Sequence, residues 1–296
     1  MKLNLFGRNL FGRDAAVPAT PRLSMFDPLF IGMDEYGHAV TLDLVFHNLL
    51  VAGEPGGGKS VLLHNIAAIG ALAEKTRLVL FDGKIVELGA YREIADEFVP
   101  LNMAKAISVL KRLLRVALDR YMWLLAHRKD KIDRSHDMTV ILTIIDELAM
   151  FSTVLGDKKD QELFAALLRG LVAIGRACGM PVVAATQRPS FDIIPTSLRD
   201  LFGYRMAFRC TTRGSSDVIL GQDWATQGFN AAEIDPDNRG EAFLLAEGGV
   251  PYRVKAAYMD ARDRYRVSDY AVHVRHEAGL YVPEPIDLAE LMNLAN

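Results

Sequence analysis

The residues best suited to do chemistry lie in Gly53-Glu54-Pro55-Gly56-Gly57-Gly58-Lys59-Ser60, which carries the spacing G-x-x-x-x-G-K-[ST]. Glycines at this spacing let backbone N–H groups turn inward around phosphate oxygens, where a side chain would block the approach. Lys59 is placed to reach the terminal phosphates of a nucleotide, and the Ser60 hydroxyl to bind Mg²⁺. The competing reading is a glycine-rich turn that matches by accident, and the flanks argue against it. Residues 46–52 are a short apolar run of strand type, and the apolar, alanine-rich stretch 61–73 reads as a helix.

Hydrolysis of a γ-phosphate also needs a metal ion, a positioned water and donors for the charge that develops on the transferring oxygens. Asp146 and Glu147 close a near-continuous β-branched run that starts at Thr139. Asp146 is the candidate second Mg²⁺ group beside Ser60, and Glu147 the candidate base for the attacking water. This acid pair favours ATP over GTP as the bound nucleotide. Read alone, the pair would be an acidic helix N-terminus stabilised by the helix dipole; the phosphate loop upstream makes that the lesser reading. Gln187 ends the apolar run 182–186 and is placed to donate to the γ-phosphate or its water, the alternative being an ordinary polar loop residue.

These groups need strands that end together. Residues 77–82 and 139–147 read as buried strands of a parallel sheet, and Asp82-Gly83-Lys84 falls at a strand's carboxyl end, where open α/β sheets bind ligands. Residues 104–129 place Ile107, Leu110, Leu114, Leu118 and Tyr121 at three-to-four spacing, with Lys111, Arg112, Arg115, Arg120 and Arg128 on other faces. That is a long amphipathic helix whose basic face is either solvated or in contact with DNA or a neighbouring subunit. A further helix over 160–177 stops at Gly179-Met180-Pro181. Residues 204–210 alternate enough for a strand nearer the sheet edge, with Arg205 and Arg209 facing one side. Hairpins over 29–44 and 242–256 extend the sheet at each end. Strands separated by helices across 45–210 predict an α/β fold, a largely parallel sheet flanked by helices with one nucleotide site.

The chain has 296 residues, 50% of them hydrophobic, enough for one large core. No apolar run reaches the ~18 residues that span a bilayer, and the first residues lack a signal-peptide core, so a cytoplasmic location is expected. Cys178 and Cys210 have neither metal-ligand nor disulfide spacing. A net charge of −3 gives no overall basic signature, so any DNA contact must rest on local positive surface. The expected divisions are a tail over 1–27, a motor domain over 28–262 and a polar extension over 263–296 that ends in a short helix. The tail repeats Asn-Leu-Phe-Gly-Arg at 4–8 and 9–13. Its paired Leu-Phe steps suit a docking peptide for a neighbouring subunit, a membrane component or transfer-machinery proteins; a leader without fixed structure is the competing reading.

Residues 53–60, Phe81-Asp82-Gly83-Lys84 with Glu87-Leu88 and Tyr91, Ile145-Asp146-Glu147 and Ala185-Thr186-Gln187-Arg188-Pro189-Ser190 together resemble the FtsK/SpoIIIE DNA-translocase motor. Arg205–Arg209 and Ile219-Leu220-Gly221-Gln222 continue the likeness, which covers roughly 29–258. The resemblance implies a RecA-like P-loop ATPase of the ASCE type that assembles as a ring, usually a hexamer, around double-stranded DNA and pumps it by hydrolysing ATP with Mg²⁺. It implies an arginine that completes the neighbouring subunit's site; Arg205 and Arg209 are the candidates, with Arg176 behind them. Lys84 would support the site or line the pore. The chain departs from the pattern at Gly83, where proline is usual, and at Asp217, where chromosomal translocases carry arginine. It looks more like the short transfer proteins of conjugative plasmids and integrative elements, chromosome segregation being the other role. Alternatives are a family ATPase acting on protein cargo, as in type VII secretion, and a coupling protein with little turnover.

Overall fold

The computed structural model describes residues 23–277. Its strands are β1 (Leu29–Asp34), β2 (Ala39–Leu42), β3 (Leu49–Ala52), β4 (Thr76–Phe81), β5 (Glu97–Val99), β6 (Val140–Ile145), β7 (Val182–Thr186), β8 (Tyr204–Phe208), β9 (Glu241–Ala246) and β10 (Tyr252–Ala256). They form one sheet in the order β2-β1-β10-β9-β8-β3-β7-β6-β4-β5. From β8 to β5 every neighbouring pair is parallel, and from β8 to β2 every pair is antiparallel.

The parallel strands are apolar throughout because both faces are covered. All six residues of β6 are buried, and so are all four of β3. On one face Leu50, Ala52, Phe81, Ile145 and Ala184 pack against α2 (Met103–His127) and α3 (Lys158–Gly175). On the other, Leu49, Val51, Leu80, Ile144 and Val183 pack against α1 (Lys59–Leu72) and α6 (Ala261–Glu277). Asn48, fully buried just before β3, accepts from the Val182 amide at 2.9 Å and donates to the Val172 carbonyl at 2.8 Å. That side chain ties the strand feeding the phosphate loop to β7 and α3.

The structure departs from two sequence expectations. β8 lies inside the sheet between β3 and β9, not toward its edge. Its alternation misleads because the half-buried Arg205 bends back onto the Leu220 carbonyl, 3.0 Å away, instead of reaching solvent beside an edge. The hairpins do not extend opposite ends of the sheet: β1 pairs with β10, so both form a single antiparallel wing beyond β8. The short α4 (Thr196–Arg199) and α5 (Arg213–Leu220) follow β7 and β8.

Residues 1–22 and 278–296, which hold the repeated tail motif and most of the expected C-terminal extension, lie outside the described residues. The described parts of both segments join the core. Met25 is buried, and α6 is fastened across α1 by Arg275, whose guanidinium donates to the carbonyls of Ala71, Gly70 and Thr76. Among the described residues no helix is long and apolar enough to cross a membrane.

Candidate active site

Five adjacent strands, β8-β3-β7-β6-β4, bring their carboxyl ends to one edge of the sheet. In that order the residues that follow them are Arg209, the phosphate loop, Gln187, Asp146 with Glu147, and Asp82 with Lys84. The sheet therefore gathers most of the sequence's candidates into a row. Arg205 is the exception: opposite Leu50 in the β3–β8 register, it sits toward the other end of its strand.

The phosphate loop has the conformation its glycines allow. Gly58 has φ +120°, and a Cβ there would come within 2.8 Å of Gly240 Cα and 3.0 Å of Phe208 Cε1. The Gly240 amide donates to the Gly57 carbonyl at 2.8 Å, and the Ala256 amide donates to the Gly240 carbonyl, also at 2.8 Å. Lys59 opens α1 and is buried; its ammonium donates to the carbonyls of Gly53 and Glu54, each at 2.6 Å. Burial pulls its pKa down to about 8, opposed chiefly by the nearby Glu147 carboxylate.

Glu147 is 6% exposed and held by three donors. The Thr186 hydroxyl reaches its carboxylate at 2.6 Å, the Gln187 amide at 2.9 Å and the Ala149 amide at 3.3 Å. Those bonds fix the carboxylate between β6 and β7. Asp146, 4% exposed, differs: its Oδ2 is buried with no hydrogen-bond partner among the described residues, and so is the Lys84 ammonium 3.5 Å away. Burial pushes the Asp146 pKa up to about 7, with Lys84 opposing. Lys84 is held there by a constrained turn. Asp82 accepts from the amides of Lys84 at 3.0 Å and Leu88 at 2.8 Å, and between them Ile85 takes φ +68°, costly for a β-branched residue.

A buried carboxylate oxygen without a donor fits a cation. Mg²⁺ characteristically takes one or two protein oxygens and fills the rest of its shell with water and substrate phosphate, which suits Asp146 with the Ser60 hydroxyl at the start of α1. The described residues hold no cluster of three or more His, Cys, Asp or Glu that would make a closed metal cage.

The arginines separate. Arg209 pairs with Glu54 of its own phosphate loop. Arg205 lies 3.6 Å from Asp200, and Arg176 bonds the Phe46 carbonyl and Glu247. Arg176 and Arg205 both line a cavity of about 280 Å³ that also takes in Phe202 and Trp224. Asp217 accepts from the Ala225 amide at 3.0 Å and so closes a local turn. Sequence reasoning missed Thr186 as the partner of Glu147, although the residue stood inside the Ala-Thr-Gln-Arg-Pro-Ser run. It also missed the loop 235–240 packed on the phosphate loop, for which the sequence offers no local signal.

Fold and site define a P-loop ATPase whose phosphate loop lies at the carboxyl ends of a largely parallel sheet. Over residues 24–140 the sequence matches the model of the FtsK/SpoIIIE family, and the resemblance read from the motifs is borne out. The chain is 31% identical over 266 residues to the DNA translocase FtsK of Treponema pallidum, covering 84% of this chain and 31% of that protein. With its counterpart from Borreliella burgdorferi it shares 27% over 257 residues, 81% of this chain and 31% of the relative. It thus spans about a third of these curated relatives. Among solved structures, the conjugation coupling protein TcpA of pCW3, in a monomer form with ATPγS, superposes with a TM-score of 0.69 at 21% identity, covering 83% of this chain and 70% of TcpA. The ATPases 2 and 3 of EssC from Geobacillus thermodenitrificans give 0.69 at 14% identity, covering 93% and 57%. At those identities the likeness is one of fold.

Proposed function

We propose that this ATPase is a motor that moves double-stranded DNA, working as a ring, most simply a hexamer, in conjugative transfer or chromosome segregation. The observation that carries the reading is the row of phosphate loop, Gln187, Asp146 and Glu147 along one sheet edge, with the Glu147 carboxylate fixed by Thr186 and Gln187. A nucleotide-binding protein that only docks partners has no need of that base. Lys59 and the loop amides bind phosphates, Ser60 and Asp146 hold Mg²⁺, which supplies charge neutralisation on the phosphate oxygens, and Glu147 takes the proton of the attacking water. Gln187 reports on the terminal phosphate. The duplex as cargo is supported by the relatives named above and by the exposed Lys111 and Arg115 on α2. The cytoplasm is the compartment in which such a motor meets both ATP and DNA.

The test is steady-state ATP hydrolysis at low salt with and without long double-stranded DNA, using Lys59→Ala as the blank. The proposal expects strong stimulation by duplex that fades as salt rises. Hydrolysis indifferent to duplex would refute DNA as cargo and point to a protein substrate.

A further inference from the structure

Arg209 takes no part in the chemistry outlined for Lys59, Asp146 and Glu147, yet it stands against the phosphate loop. Its carbonyl accepts from the Glu54 amide at 2.8 Å, and its guanidinium pairs through Nη1 with the Glu54 carboxylate. Its Nε is buried and has no hydrogen-bond partner among the described residues. Beside the pair lies a cavity of about 130 Å³ bounded by Gly56, Gly57, Asp235, Asn238 and Arg239.

Glu54 is the one acid within residues 53–60, a segment otherwise built to receive phosphate. A carboxylate there repels an incoming anion unless a cation neutralises it, and Arg209 is that cation. An unused buried donor is costly, and a planar guanidinium satisfies several donors at once on phosphate oxygens. The pair is not sealed from water: the Arg209 and Glu54 side chains are 34% and 22% exposed, which keeps the ion pair weak enough to exchange.

We propose that Arg209 reads the terminal phosphate of the nucleotide bound in its own subunit, and that Glu54 is a placeholder that occupies it until a triphosphate arrives. This rests on the nucleotide-site reading above. On triphosphate binding Arg209 leaves the Glu54 carboxylate for phosphate oxygens, its Nε gains an acceptor, and Glu54 turns to solvent. A diphosphate lacks the terminal group, so the ion pair stays closed. The loop thereby distinguishes the two nucleotides without help from a neighbouring subunit.

The test is fluorescence titration of the full chain with mant-ADP and with a mant-labelled, non-hydrolysable ATP analogue, alongside thermal melts of each variant. Arg209→Ala leaves Glu54 unneutralised and so should weaken both nucleotides, the triphosphate about tenfold more than the diphosphate, the scale of one charge-assisted contact. Glu54→Gln should tighten the triphosphate about threefold and more than the diphosphate, whereas in the Arg209→Ala background it should relieve both nucleotides equally. Should Arg209→Ala melt early, Arg209→Lys decides, since it keeps the charge but loses the planar fork and should give up part of the discrimination. Unchanged discrimination in the arginine variants overturns the proposal. So does a Glu54→Gln gain that is the same for both nucleotides with Arg209 present, which would mean only that a negative charge had left the anion's path. A wild-type chain that binds neither nucleotide removes the nucleotide-site reading itself, whereas binding that ignores Arg209 removes this inference alone.

Discussion

Glu147 shows how a single residue's role depends on its partners. Three donors hold its carboxylate in place, two on Oε1 and one on Oε2; a glutamine in its stead keeps the size and the acceptor on one side, loses the bond on the other and cannot take a proton. Glu147→Gln is expected to leave ATP binding intact and to lower turnover by about a hundredfold or more; single-turnover hydrolysis beside nucleotide titration checks both, and unchanged hydrolysis removes Glu147 from the mechanism. Glu147 and the phosphate loop were legible in the sequence because each is a local pattern, a spacing or a strand end that one stretch of chain contains. The Arg209–Glu54 pair spans 155 residues, and no periodicity encodes a contact made only when β8 comes to lie beside β3. Arg209 stood out in the sequence as a candidate to complete a neighbour's site, but Glu54 did not stand out as its partner, because the sequence shows the residue and not the acid it meets.

Among the elements, α6 has the most to teach about what composition hides. Its polar sequence read as an extension, yet it crosses α1 and is held by Arg275, which buries its guanidinium on main-chain carbonyls, and by Ser268, whose hydroxyl donates to the Ala90 carbonyl. His64 of α1 is part of that junction: buried, it has its Nε2 2.6 Å from the Arg264 guanidinium, so the ring is neutral and accepts. Burial first, and then Arg264, depress its pKa to about 3 from an ordinary 6.5. Between those values the unfolded chain binds the proton and the folded one does not, so the neutral ring's contribution to stability is present above pH 6.5 and is lost as pH falls toward 3. His64→Gln, which still offers an acceptor to Arg264, is expected to flatten the loss of stability between pH 6.5 and 4 in thermal melts; an identical slope would show that acid sensitivity arises elsewhere. Elements as short as β5 and α5 escaped the sequence reading because three or eight residues are too few to display a period.

For the molecule as a whole, the parallel half of the sheet was foreseeable from alternating strands and helices, while the antiparallel wing was foreseeable only as separate hairpins. Which edge a hairpin joins depends on a pairing such as β1 with β10, made across more than two hundred residues of chain. If subunits complete one another in a ring, ATP turnover per subunit should rise steeply with protein concentration at fixed DNA; a flat profile across the assembly range measured by sedimentation would argue for a self-sufficient monomer. The contact at Gly240 gives the wing a further role. Its amide grips Gly57 and its carbonyl receives Ala256, so an unbroken run of main-chain hydrogen bonds leads from the phosphate loop into β10, and from there through β1 to β2. Main-chain bonds have no rotamers in which to take up slack. The phosphate loop and the free edge of β2 thus belong to one continuous main-chain framework, bound both through Gly240 and through the β9–β8 pairing.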